Sequence, residues 1–455
     1  MRKNVFILIF LIFIVGLWVV SRFWFHEPGG NGDSSTVSSP ATTQSPAPDR
    51  NPDTDPDPDR SNTPQPVSEE EERLLAQQRE AEITARREAV LEEGELLFRG
   101  YFYDEVITLL NEDEELINYE TQALEIAAAE AKDGLVLFDG DIKHIFFHSL
   151  IIYPEYLFPD LSVPTGGYNE GFIFQSEFIK ILPQLLERGY VLYDINDIFS
   201  KDADGVMRQN DIYLPPGKRP LVLSIDDPSY HYNKTTPGRI GFANRVILDE
   251  EGELATEVPA PSGEIEITYD GDVHIAVDAF VRENPEFSYR GAKGIIASTG
   301  YMGIFGYDLQ SEQSRQEATA ISDKFKENGW LFANHSYTHN RVGFWGPESN
   351  PANIRYDVRR WREVIEPIVG QTNIFIAPFG FLLRGEGMQV IIDNGYDIYC
   401  TVDFNQPITV HSTHAVMGRI EIGGYSLVRW VNTLNRDFFD VASVKDRHRP
   451  PILSR

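Results

Sequence analysis

At 455 residues, 42% of them hydrophobic and 12% aromatic, the chain is long enough for one large α/β domain with appendages or for two or three units. Its formal net charge of −30 argues against a nucleic-acid partner, because phosphate binding needs basic surface. A single cysteine, Cys400, excludes an internal disulfide and any cysteine-rich metal site, and its apolar surroundings mark it as a core residue.

Arg2 and Lys3 precede an apolar run over residues 5–20, which Phe23, Trp24 and Phe25 prolong. No small-x-small cleavage site and no lipid-acceptor cysteine follow it. Residues 1–26 therefore read as an uncleaved signal anchor with its basic end in the cytoplasm, which makes this a single-pass cell-membrane protein with the rest of the chain extracellular. A cleaved signal peptide is the alternative. Residues 27–67 are rich in Pro, Asp and Ser, cannot bury apolar surface, and form a disordered, self-repelling linker. Residues 68–133 predict a helical spacer, with a long mixed-charge helix and two shorter ones over 103–110 and 116–131. No chemistry is visible there.

From residue 134 to 455 short apolar runs alternate with helical patterns. The runs fall at 142–148, 190–193, 221–225, 294–298, 330–334, 374–377, 398–402 and 416–422. Helices are predicted over 176–188 and 314–328, and a third from Pro351, with Ile354, Val358, Trp361 and Ile365 on one face. This alternation predicts α/β architecture around a parallel sheet, either a barrel or doubly wound. An insertion at about 230–290 interrupts it, and its turns at 249–252 and 270–271 predict β-hairpins.

The chemistry begins where the run 221–225 ends in Asp226 and Asp227. Adjacent residues at a strand end point different ways, so one carboxylate can hold a cation while the other takes a proton. Directly after the run 330–334 come His335 and His339, spaced so that both imidazoles reach one ion, and Asp227 is the candidate carboxylate to complete the set. In parallel α/β sheets the strand C-termini converge on one face, where ligands gather.

These motifs resemble those of the polysaccharide deacetylases with the NodB-type fold (carbohydrate esterase family 4-like). The family's Thr-Phe-Asp-Asp-Gly is matched by Ser224-Ile-Asp-Asp-Pro228, and its His-Ser/Thr-x-x-His by His335-Ser-Tyr-Thr-His339. Phe147-His148-Ser149 resembles the family's opening strand, and Phe178 to Leu182, followed by Gly189-Tyr190, its first helix and turn. The resemblance covers roughly residues 142–435. It implies a distorted (β/α) barrel, a divalent metal, zinc or a similar ion, held by Asp227, His335 and His339, and Asp226 as general base.

Three departures bear on the mechanism. Ile376-Ala-Pro-Phe379 lacks the family's arginine, so the Asp226 pKa is expected to rise unless Arg384 or Arg419 folds in. The Phe379 N–H remains an oxyanion donor, since a backbone donor does not depend on the side chain. No histidine occupies 420–423, where the family's last motif is expected, which leaves His411 and His414 as substitutes for the general acid. Pro228 replaces a glycine.

The implied function is metal-dependent hydrolysis of acetyl groups, N-acetyl on hexosamine first, from peptidoglycan or another envelope glycan. O-acetyl groups are equally compatible. Tyr230, Tyr232, Trp330, Trp345 and Phe381 are candidates to stack on sugar rings, with core packing as the other role. Two further readings stay open. One is a catalytically impaired glycan-binding or scaffold protein that keeps the metal site, and the other is a glycoside hydrolase using Asp226 and Asp403.

Overall fold

Seven short strands, each buried on nearly every residue, carry the architecture: β1 (Lys143–Phe147), β2 (Arg219–Asp226), β3 (Gly294–Ser298), β4 (Trp330–Asn334), β5 (Ile374–Ile376), β6 (Ile398–Val402) and β7 (Ala415–Glu421). In the computed structural model, which describes residues 68–453 apart from 159, 231–240 and 301, all seven pair in parallel and in chain order. Pairing of β7 with β1 closes the ring into a barrel. The expected anchor (1–26), the linker (27–67) and Tyr232 lie outside the described residues. No described helix is long and apolar enough to cross a membrane.

The barrel is uneven at one seam. The strand Tyr190–Leu192 pairs with the first half of β2, and β3 with its second half, so a partial extra strand wedges into the wall. A hairpin strand, Ile408–Val410, runs antiparallel to β7 in place of a helix between β6 and β7.

Helices connect the other strands. We number α1–α3 at the N-terminus as Glu69–Arg99, Tyr103–Asn111 and Tyr119–Asp133, then α4 (Gln175–Glu187), α5 (Val273–Glu283), α6 (Glu312–Glu327), α7 (Pro351–Val364) and α8 (Glu386–Asp393). Each barrel helix turns an apolar stripe inward, as Phe178, Ile181, Leu182 and Leu185 do on α4 and Ile354, Val358 and Trp361 on α7. Burying each such side chain contributes about 1.5–3 kcal/mol. α6 stops at Gly329, whose φ of 92° and closeness to the Gly291 carbonyl leave no room for a Cβ.

The insertion is β-structured only in its first part. Strands Arg245–Leu248, Leu254–Pro259 and Ile265–Thr268 form an antiparallel sheet, and the expected turn after Asp249 is present. Asp270-Gly271 does not turn a hairpin; it leads into α5, which Asp272 caps.

Helices α1–α3 pack against the turns that lead into β3. Arg99 pairs with Glu286 at 2.7 Å, Tyr101 donates to the Glu286 carbonyl, and the Arg290 N–H bonds to the Gly100 carbonyl. They thus cover the N-terminal end of the barrel, and the opposite end, where the strands finish, is left open for the site.

Candidate metal centre and active site

The open end is built by period-two alternation on three neighbouring strands. On β2, Ser224 and Asp226 share one face. On β1 the same face carries His144 and Phe146, with His148 just beyond, and on β7 it carries Met417, Arg419 and Glu421. Parallel pairing of Phe146 with Ser224 and of Ile145 with Ile420 brings these rows side by side inside the barrel.

Arg419 reaches across to Asp226 with both guanidinium arms, Nη1 to Oδ1 at 2.8 Å and Nη2 to Oδ2 at 3.0 Å. The pair is almost fully enclosed, and the guanidinium stacks on Phe146, 4.0 Å from its centroid. Nη1 also donates to Ser224 Oγ at 3.0 Å, and His144 Nε2 lies within hydrogen-bond distance of the same oxygen at 3.0 Å. Burial pushes the Asp226 carboxyl up, but Arg419, then His335, outweigh it and hold the group well below the usual carboxylate range. The arginine absent before Pro378 is therefore supplied by Arg419, while Arg384 stays exposed.

Asp227 turns the other way. Its φ of 58° swings the side chain off the strand line toward the two histidines. His339 Nε2 lies 3.5 Å from Asp227 Oδ2, His335 Nε2 lies 4.0 Å from Oδ1, and one ligand atom from each of the three side chains falls within 4.8 Å of the others. Ligands about 2.1 Å from a tetrahedral ion stand about 3.4 Å apart, so small side-chain rotations would suffice. His335 Nδ1 donates to the Ile376 carbonyl at 2.7 Å, which fixes the tautomer and leaves Nε2 as a lone-pair donor. Burial lowers the His335 pKa and favours the neutral, ligating form. One carboxylate and two imidazoles with an open side fit a catalytic zinc-type site. The Phe379 ring packs on His339, with 4.6 Å between ring centroids.

A cleft of about 170 Å³ opens beside the two aspartates, lined by His148, Ser149, Tyr168, Phe172, Tyr230 and Phe242. Phe172 packs on Tyr168 and on Phe242 at 5.3 and 5.5 Å, so one wall is aromatic. Of the aromatics considered for sugar stacking, Tyr230 lines this cleft and Phe381 is half-buried. Trp330 and Trp345 are fully buried and cannot stack on a ligand.

His411 and His414 are not at this site. Their rings stack on each other at 4.5 Å in the turn before β7, whereas the cluster sits where β7 ends. Seven residues of strand, at about 3.3 Å each, separate the two ends by about 20 Å. The imidazole that does enter the cleft is His148. Its Nδ1 donates to the Gly171 carbonyl at 3.2 Å and lies 3.4 Å from Glu421 Oε1. Burial raises the Glu421 carboxyl, which His148 opposes and the Asp226 charge reinforces. The signal for His148, Arg419 and Glu421 was present in the sequence as polar residues on one alternating face of two apolar strands or just past its end.

No family model and no curated protein matches the sequence. Among solved structures the chain is similar to the Streptococcus pyogenes deacetylase PplD in complex with acetate, at 12% identity over 64% of this chain and 94% of that one, with a TM-score of 0.37. It is also similar to IcaB from Ammonifex degensii (13%, 63% and 94%, TM-score 0.36). A third is the de-N-acetylase from Aggregatibacter actinomycetemcomitans (12%, 62% and 95%, TM-score 0.37). The chain resembles the NodB-type polysaccharide deacetylases. Beside the Asp227, His335 and His339 group, the buried arginine comes from β7 and the cleft histidine follows β1.

Proposed function

We propose that the protein is a metal-dependent deacetylase that hydrolyses acetyl groups, N-acetyl on hexosamine units above all, from an envelope or extracellular polysaccharide. The observation that carries this reading is the meeting of Asp227, His335 and His339 beside the Arg419-bound Asp226 at the open end of the barrel. Asp227, His335 and His339 would hold the divalent cation, which supplies Lewis acidity toward the acetyl carbonyl.

The chain's own groups do the rest. Asp226, kept ionised by Arg419, takes the proton of the attacking water. The Phe379 N–H donates to the oxygen that becomes negative, where one good donor contributes about 3 kcal/mol. His148, held through Nδ1, presents Nε2 to the cleft and protonates the departing amine. The aromatic wall of Tyr168, Phe172 and Phe242 excludes water and offers a face to a sugar ring.

The rival readings lose their motives. A catalytically impaired scaffold was suggested by a missing arginine and histidine, and Arg419 and His148 can supply both. A glycoside hydrolase would leave the meeting of Asp227, His335 and His339 without a role. Localisation belongs to the same proposal: the apolar residues 1–26 support a membrane tether with the barrel outside the cell.

The test is acetate release with matching appearance of free amine, measured across N- and O-acetylated glycans. Release from N-acetylhexosamine polymers is expected. Tight zinc binding with no release across the panel would favour the scaffold reading instead.

A further inference from the structure

The loop that carries the two histidines is held by a buried carboxylate from another element. Asp357, on α7 and fully enclosed, accepts four hydrogen bonds from the three residues between His335 and His339. They come from Ser336 Oγ at 2.9 Å, the Tyr337 N–H at 2.8 Å, the Thr338 N–H at 2.9 Å and Thr338 Oγ1 at 2.6 Å. Ser336 passes the contact on. Its hydroxyl donates to Asp357, while its oxygen accepts from the His339 N–H at 3.0 Å and from Trp345 Nε1 at 2.8 Å.

The backbone here needs such a hold. Ser336 and His339 have φ of 71° and 44°, in the left-handed region that non-glycine residues seldom occupy. Such residues persist only where the surroundings over-determine them. A carboxylate suits this place because it only accepts, whereas an amide would set its own NH2 against an N–H or O–H.

We propose that Asp357 is a positioning residue for the metal centre, folding residues 336–338 into the turn that aims His335 and His339 at one point before any cation arrives. The inference rests on the reading of Asp227, His335 and His339 as metal ligands. It assigns to α7, which touches neither substrate nor cation, part of the affinity for the ion. A preformed loop means that binding does not have to order the ligands, so the cost of ordering is met during folding.

The experiment is a calorimetric zinc titration of the metal-free full-length protein, with the Tm of each variant measured alongside. The variants are Asp357→Asn and, as a control, Asp278→Asn. Asp278 is likewise a buried carboxylate, and it accepts from Lys293, Asn328 and Trp330 at the other end of the barrel. Asp357→Asn is expected to weaken zinc binding about 10–100-fold, whereas Asp278→Asn lowers Tm and leaves zinc affinity unchanged. Wild-type affinity in Asp357→Asn, or an equal loss in Asp278→Asn, overturns the proposal. If Asp357→Asn does not fold, Thr338→Val decides, since it deletes one of the four bonds and spares the backbone: weakened binding supports the proposal and unchanged binding overturns it. Wild-type protein that binds no zinc removes the metal reading itself, and this inference with it.

Discussion

Arg419 grips both carboxylate oxygens of Asp226 although 193 residues separate them along the chain. The contact joins the strand that opens the motif to the strand that ends the barrel, and it is almost fully enclosed. Arg419→Met would leave Asp226 buried without its guanidinium partner. That change is expected to cost about 3–5 kcal/mol of stability, read by urea unfolding. Turnover falls with it, because burial unopposed by the guanidinium raises the Asp226 carboxyl toward its protonated form.

Asp226→Asn separates binding from chemistry. The variant keeps Asp227, His335 and His339, so zinc content stays at the wild-type level, while turnover drops by about 10²–10⁴. His335→Ala loses both. Full turnover in Asp226→Asn would take this residue out of the mechanism.

How much of this could be read from the chain alone follows from where the signals lie. Strands 294–298, 330–334 and 398–402 were legible to the residue, since short apolar runs between helical stripes admit few other readings. The cluster of Asp227 with His335 and His339 was legible because both motifs follow strands. The proposed acid, His148, was less legible: His411 and His414 lie near β7 in the chain, and only the strand direction puts them at the far end. Helix α5 was also missed, hidden behind turn residues that resembled a hairpin.

His148 can be tested by choice of leaving group. An amine needs a proton to depart, whereas an activated phenol does not. His148→Gln is therefore expected to slow amide hydrolysis by about 10²-fold or more and to leave aryl acetate hydrolysis nearly unchanged. Equal losses on both substrates would show that His148 does not act as the acid. His411→Ala and His414→Ala are expected to keep wild-type turnover.

Stability should fall on mild acidification because of histidines buried in neutral form. Burial, then the charge of Arg419, holds His144 well below its ordinary value of 6.5, and burial lowers His274. The unfolded chain takes up these protons below about pH 6.5 and the folded chain does not, so stability is full above that pH and is lost below it. The expected slope is about 1.4 kcal/mol per pH unit for each such histidine. Urea unfolding at pH 7 and pH 5.5 checks this, and His274→Phe should flatten the dependence.

The most direct test of the account is metal reconstitution. Chelator-treated full-length protein, titrated with zinc while acetate release from N-acetylglucosamine oligomers is followed, should regain turnover in proportion to bound metal up to about one ion per chain. His335→Ala should regain none. Acetate release that survives complete metal removal would contradict the claim that Asp227, His335 and His339 hold the ion on which catalysis depends.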